Sequence, residues 1–151
     1  MAIMSTLSLT LLSVHLAATA AMVGLIWFVQ VVHYPLFASV GEPQFVAYEA
    51  SHRWRTSLVV GPLMGLETLT ALILVASPPT GLGRTLPLVG VALLAVIHAS
   101  TVLLQIPRHT ELSEAHDHAA IRRLVRSNWV RTVGWSARGV LAVAMLVVAA
   151  G

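Results

Sequence analysis

The sequence predicts an all-α protein, a four-transmembrane-helix bundle with cytoplasmic helical extensions, and three observations carry that prediction. Hydrophobic residues make up 57% of the 151 and charged ones only 10%, and the mean hydropathy of +0.84 lies far outside the range of soluble domains. Four apolar stretches meet the length needed to cross ~30 Å of hydrocarbon with about 20 residues. Nearly all of the seven histidines, nine arginines and six acids fall at one end of those stretches, as a polar site at one membrane face would require.

The first stretch runs from Leu7 to Val32. A signal peptide is its main rival, but a basic leader is missing and the apolar run exceeds the usual hydrophobic core of such peptides, so it reads as a retained helix. Pro35, after His33-Tyr34, should end or kink it. The second stretch is Ser57 to Ala76. Ahead of it Ser39 to Thr56 links the two spans and carries Glu42, Glu49, Arg53 and Arg55. Its portion Gln44 to Arg55 has no proline or glycine and extends the second helix beyond the bilayer. Gly61-Pro62 should loosen that helix. Ser77 to Leu86 is a Pro/Gly turn with only Arg84. The third stretch, Pro87 to Ile106, should kink at Pro107 on leaving the membrane. The fourth, Trp129 to Ala150, is preceded by the helix-compatible Glu114 to Ser127. The result is one domain, residues 1–151, without a visible internal repeat.

Arginines concentrate in the first and third connections, which places those in the cytoplasm and both termini outside, in a multi-pass protein of the cell inner (plasma) membrane. The absence of cysteine excludes disulfides, thiolate metal sites and cysteine nucleophiles. The net charge of +3 and pI near 10.6 follow from membrane topology, so no nucleic-acid partner is expected. The expected partners are the lipid bilayer and a hydrophobic small-molecule substrate. A homo-oligomer is compatible with the small residues Ala17, Ala20, Ala21 and Gly24, which suit a dimer face or packing within the chain equally well.

Helical periodicity gives each span a polar stripe. Glu49, His52, Thr56, Leu63 and Glu67 align on the second helix, with Glu67 about 15 Å inside. His98, Gln105, His109 and Leu112 align on the third, and Asn128, Arg131, Trp135 and Arg138 on the fourth. On the first, His15 and His33 stand a whole number of turns apart with Gln30 beside the latter. Ionisable groups in hydrocarbon face the bundle interior and find partners, so Glu67 and Arg138 should form a buried ion pair. Arg138 or Arg131 can otherwise hold an anion or phenolate.

Metal ligation has two forms here. Glu49-x-x-His52 presents a carboxylate and an imidazole to one point, as in di-iron carboxylate bundles, but its second copy is missing. Glu111, Glu114, His116, Asp117 and His118 make only an irregular cluster. A mixed site of His33, His52 and His109 with Glu49 suits iron or copper, zinc being a third option; haem on His15 and His98 ranks behind them, and core histidines are the plainer reading of those two. Trp27, Trp54, Trp129 and Tyr34 belong to the interfacial aromatic belt, whereas Trp135, one turn deeper, can wall a pocket for a flat ligand.

The run Ser100 to Leu112 (STVLLQIPRHTEL) resembles the helix end of the anthrone-oxygenase-like membrane proteins, where a short apolar run leads into Val-Pro-Leu-Asn and a leucine. Asn128-Trp-Val-Arg-Thr132 resembles that family's Asn-His-x-Arg-Thr, and His33-Tyr-Pro-Leu-Phe37 is similar to its Met-Pro-x-Leu ending of the first helix. The resemblance covers nearly the whole chain in order and spacing through short motifs. It implies a four-helix membrane oxidoreductase acting on polycyclic phenolic anthrones with dioxygen, and it carries over onto Pro107, Asn128 and Arg131. His109 stands in place of the family asparagine and Trp129 in place of its histidine, while Glu49, His33 and His52 have no counterpart.

These readings converge on an oxygenase-like integral-membrane oxidoreductase with a cytoplasm-facing cavity for a planar phenolic or quinol-type substrate. The catalytic candidates are His109, Arg131, Arg138 and Asn128. Trp135, Gln105, Gln30 and Glu67 are the substrate-binding candidates, and His33, His52, His109 and Glu49 the metal candidates. The alternatives are a haem- or metal-binding membrane protein without catalysis and a structural membrane subunit.

Overall fold

Apolar side chains on every face of a long helix leave no water-facing side, and the four helices bear this out. The structure, a computed structural model, describes residues 5–151, and all the regular elements among them are helical. The long helices are α1 (Thr6–Ser39), α2 (Glu42–Ala76), α3 (Thr85–Leu112) and α4 (His118–Ala150), each long and apolar enough to cross a membrane. This is a four-helix, multi-pass membrane bundle. Leu103 and Val140 are 70% and 73% exposed, as expected of side chains solvated by lipid tails.

The helices form a ring in which α1 packs on α2 and α4, and α3 on the same two; α2 and α3 are the most loosely packed neighbours. One apolar cluster, including Met22, Ile26, Phe37, Ile97, Leu124 and Trp135, underlies the polar end. A smaller one of Leu12, Leu74, Leu82, Ala142 and Met145 closes the other end. Leu82 reaches it because Gly81 and Gly83 adopt φ of +84° and +65° in the turn between α2 and α3, a conformation that costs glycine little.

The expected helical extensions are present: α2 begins at Glu42, within the segment that links the first two spans, and α2 and α4 run for 35 and 33 residues, well past the hydrocarbon. Of the two outcomes expected at Pro35, an end or a kink, the helix does not end there. Proline lacks an N–H and its ring collides with the carbonyl four residues back. In α1 that conflict is relieved by a wide π-helical turn over Val29–His33, where the Tyr34 N–H reaches back to the Val29 carbonyl. In α3 the same solution recurs over Thr101–Gln105, with the Ile106 N–H on Thr101, just ahead of Pro107. Each wide turn inserts extra backbone and rotates the residues that follow. The two halves of the chain thus break alike, an echo that residue identities hide. Pro62 is accommodated inside a continuous α2.

Candidate functional site

All four helices contribute polar side chains to one end of the bundle. The π turn of α1 brings Tyr34 inward, where it is 4% exposed and its hydroxyl lies 3.0 Å from His109 Nε2. His109 Nδ1 lies 2.7 Å from Glu49 Oε1, a carboxylate with no solvent contact. His52 stacks on His109 with ring centroids 5.2 Å apart. Its Nδ1 faces His33 Nε2 at 2.8 Å and the Thr56 hydroxyl at 3.1 Å, and its Nε2 makes no hydrogen bond among the described residues. Donor atoms of Glu49, His52 and His109 all lie within 4.8 Å of one another, and among the described residues no other group of histidines and acids converges so closely.

A cavity of about 360 Å³ adjoins this cluster, lined by Tyr34, His52, Gln105, His109 and Arg131. Its mouth opens sideways between α2 and α3, edged by the exposed Arg53, Ser57, Gly61 and Ile106. The guanidinium is held by a chain whose polarity is forced at each link. The Val125 carbonyl can only accept, so it orients the Gln30 amide, whose Nε2 donates at 3.1 Å. Gln30 Oε1 then accepts from Asn128 Nδ2 at 3.0 Å, and Asn128 Oδ1 from Arg131 Nη1 at 3.1 Å. Arg131 also sits 5.3 Å above the Trp135 ring. On the same helix the Ser127 hydroxyl donates to the Leu124 carbonyl, so it must accept from Gln105 Nε2 of α3, at 3.0 Å.

Those constraints leave specific valences open. Arg131 Nε, a donor, and Gln105 Oε1, an acceptor, are buried without a partner in residues that line the cavity, and Glu49 Oε2 is unpartnered behind it. Buried polar atoms are satisfied in folded proteins as a rule, so a cluster of exceptions around one cavity marks a place for a ligand.

Deeper in the membrane lies a second cluster. Glu67 Oε1 accepts from Arg138 Nε at 2.8 Å and from the Thr19 hydroxyl at 2.9 Å, and Oε2 accepts from the Trp135 indole at 2.8 Å. Arg138 Nη1 donates to the Gly90 carbonyl, so this network too spans all four helices. Beside it the Thr70 hydroxyl donates to Leu66, leaving His15 Nδ1 to donate to Thr70 at 2.8 Å.

The expected ion pair of Glu67 and Arg138 is therefore present, and it removes both from the cavity. Trp135 is fully buried, with its N–H engaged by Glu67; it backs Arg131 and is not among the residues lining the cavity beside His109. Gln30 and Asn128 position the guanidinium and do not touch the cavity. His33 falls outside the close group of Glu49, His52 and His109, with its Nε2 facing His52 Nδ1. His98 is half-buried beside Thr68, at 3.4 Å, not on the inner stripe. His116 stacks on Phe45 and lies tilted against His118, while Glu111 pairs with Arg108 and Arg123, so among the described residues that connection assembles no ligand set. Ala17, Ala20, Ala21 and Gly24 all face outward.

Sequence reasoning left Tyr34 in the aromatic belt and did not single out Thr56 as a site residue. Proline directly after the polar-aromatic pair His33-Tyr34 was the available signal for Tyr34, because relief of the proline clash rotates that segment. Compared with models of protein families, with characterised proteins and with solved structures, the chain matches none.

Proposed function

We propose that the protein is a metal-assisted membrane oxidoreductase whose cavity takes a planar phenol or quinol from the bilayer. The observation that carries this reading is the meeting of two features: a two-histidine, one-carboxylate donor set, Glu49, His52 and His109, beside a cavity lined by Arg131 and Gln105, each of which carries one buried polar atom without a partner. Two imidazoles and one carboxylate, leaving positions open, are the donor set of non-haem iron oxygenases, and imidazole suits copper as well. His33 would orient His52 as an outer-shell partner.

Arg131 stabilises the phenolate that forms on the substrate, since fixed charge in a dry site needs no reorganisation. Gln105 Oε1 accepts from a second hydroxyl. Tyr34 aligns His109 for the donor set from outside it, its hydroxyl 3.0 Å from Nε2. The reaction class is oxidation of an activated ring methylene by dioxygen, CH2 becoming C=O and the second oxygen atom leaving as water. The motifs shared with anthrone-oxygenase-like proteins, Pro107, Asn128 and Arg131, support the same class, and the sideways mouth between α2 and α3 suits a substrate dissolved in lipid. By the positive-inside rule this end faces the cytoplasm of a plasma membrane and the termini lie outside.

Two measurements test the reading. Elemental analysis and an optical spectrum of detergent-purified protein should find about one iron or copper per chain and no Soret band. Arg131→Ala should abolish oxygen consumption with a phenolic substrate while the metal stays bound; full activity in that variant rejects the role of Arg131. The specific convergence of Glu49, His52 and His109 also favours a second reading, a metal carrier without catalysis, for which metal would be found and no substrate would raise oxygen uptake.

A further inference from the structure

We infer that the bundle also holds an anionic phospholipid, in a groove between α1 and α4 on the side of the ring away from the cavity mouth. The groove has a volume of about 420 Å³, walled by Pro35 and Ala38 of α1 and Ile121 and Val125 of α4, with Arg122 and Arg126 along it. It exists because proline and alanine are short where α1 passes α4. Trp129 forms its membrane-side wall, half-exposed and braced edge-on by Trp27 at 5.7 Å.

Charge decides what fits there. Arg108 is paired with Glu111, and Arg123 lies 3.3 Å from Glu111 and 3.5 Å from Asp117. The Ala119 N–H, 2.7 Å away, holds the Asp117 carboxyl below its usual range, with smaller contributions from Arg123 and Arg122, and of these two arginines only Arg123 lies within ion-pair distance of it. Arg122 and Arg126, one turn apart on α4, have no carboxylate within ion-pair distance among the described residues. The Trp129 indole N–H makes no hydrogen bond there either, unlike those of Trp27 and Trp135. Two arginines without an ion-pair partner among the described residues thus flank an apolar trough at the level of the aromatic belt, where headgroups lie. Inorganic phosphate would satisfy the arginines and leave the apolar wall wet. A phospholipid covers both, its phosphate on Arg122 and Arg126 and an acyl chain along Val125 and Trp129.

The test uses the full chain in nanodiscs of equimolar phosphatidylglycerol and phosphatidylcholine, with retained lipid counted by native mass spectrometry. Retained phosphatidylglycerol should exceed phosphatidylcholine by on the order of tenfold. R122Q/R126Q should bring the ratio to parity, while R123Q, whose charge is already paired, keeps it. A38W, which fills the trough without altering charge, should lose the retained lipid, and carries the test alone if the arginine variant does not purify. Tens of millimolar inorganic phosphate should leave the ratio unchanged. Parity in the wild type, enrichment surviving both R122Q/R126Q and A38W, or displacement by phosphate would each overturn the assignment.

Discussion

The cluster around Glu67 and the cluster around His109 are built from the same materials and end in different states. Each draws on all four helices and each places a carboxylate among basic groups in a low-dielectric interior. In the deeper one both carboxylate oxygens are engaged, by Arg138, Thr19 and Trp135, and Arg138 Nη2 is its one unpartnered atom. At the polar end Glu49 Oε2, Gln105 Oε1 and Arg131 Nε are all unpartnered, and a cavity touches two of those three residues. A closed network holds helices together; an open one with space beside it is prepared for something else. Buried charge by itself therefore does not locate a site, whereas buried charge with unfilled valences next to a cavity does.

Breaking the deeper cluster should produce the largest effect. Glu67→Ala leaves the Arg138 guanidinium uncompensated and is expected to cost about 3–5 kcal/mol, read as a lowered unfolding midpoint in detergent. The double variant Glu67→Leu/Arg138→Met, apolar and of similar volume, should recover most of that loss. Wild-type stability in the single variant would erase the contrast between the two clusters.

His109→Ala should do the reverse, removing metal binding while stability falls by only about 1–3 kcal/mol, the range for leaving a buried polar partner unsatisfied. Elemental analysis beside a melting curve separates the two. His33→Ala, one bond further out, is expected to weaken metal affinity about 10–100-fold without abolishing it, checked by competition with a chelator. If affinity were unchanged, His33 would be an interfacial histidine and no outer-shell partner.

Gly61→Leu sharpens the comparison at the cavity mouth. A Cβ at Gly61 meets nothing within 4 Å, so the fold should tolerate it and gain slightly from replacing a helical glycine, by up to about 1 kcal/mol. The new side chain stands at the sideways opening and should slow binding of a phenolic ligand from the bilayer, measured as a reduced association rate. An unchanged rate would mean that entry is by another route.

The four helices were legible because hydrocarbon thickness and a 3.6-residue period act on local sequence, and the apolar runs contain little else. The pairing of Glu67 with Arg138 was legible for a related reason, since two opposite charges at similar depth have few alternatives in lipid. Tyr34 was missed, and His33 lies outside the close group that Glu49, His52 and His109 form. Both differences have one origin: periodicity carried straight through Val29–His33 assumes an unbroken α-helix, and the π turn ahead of Pro35 rotates everything beyond it.

Residue types and their order determined that this chain is a four-helix membrane protein with its ionisable groups gathered at one end, because the cost of exposing charge to lipid can be read from composition and spacing alone. Which of those groups would be neutralised and which left with a free nitrogen or oxygen was decided only when the helices came together. Glu67 is met by Arg138 and Thr19 from other helices and Glu49 by His109, while Tyr34 reaches His109 beyond a wide turn that a plain 3.6-residue period does not reveal.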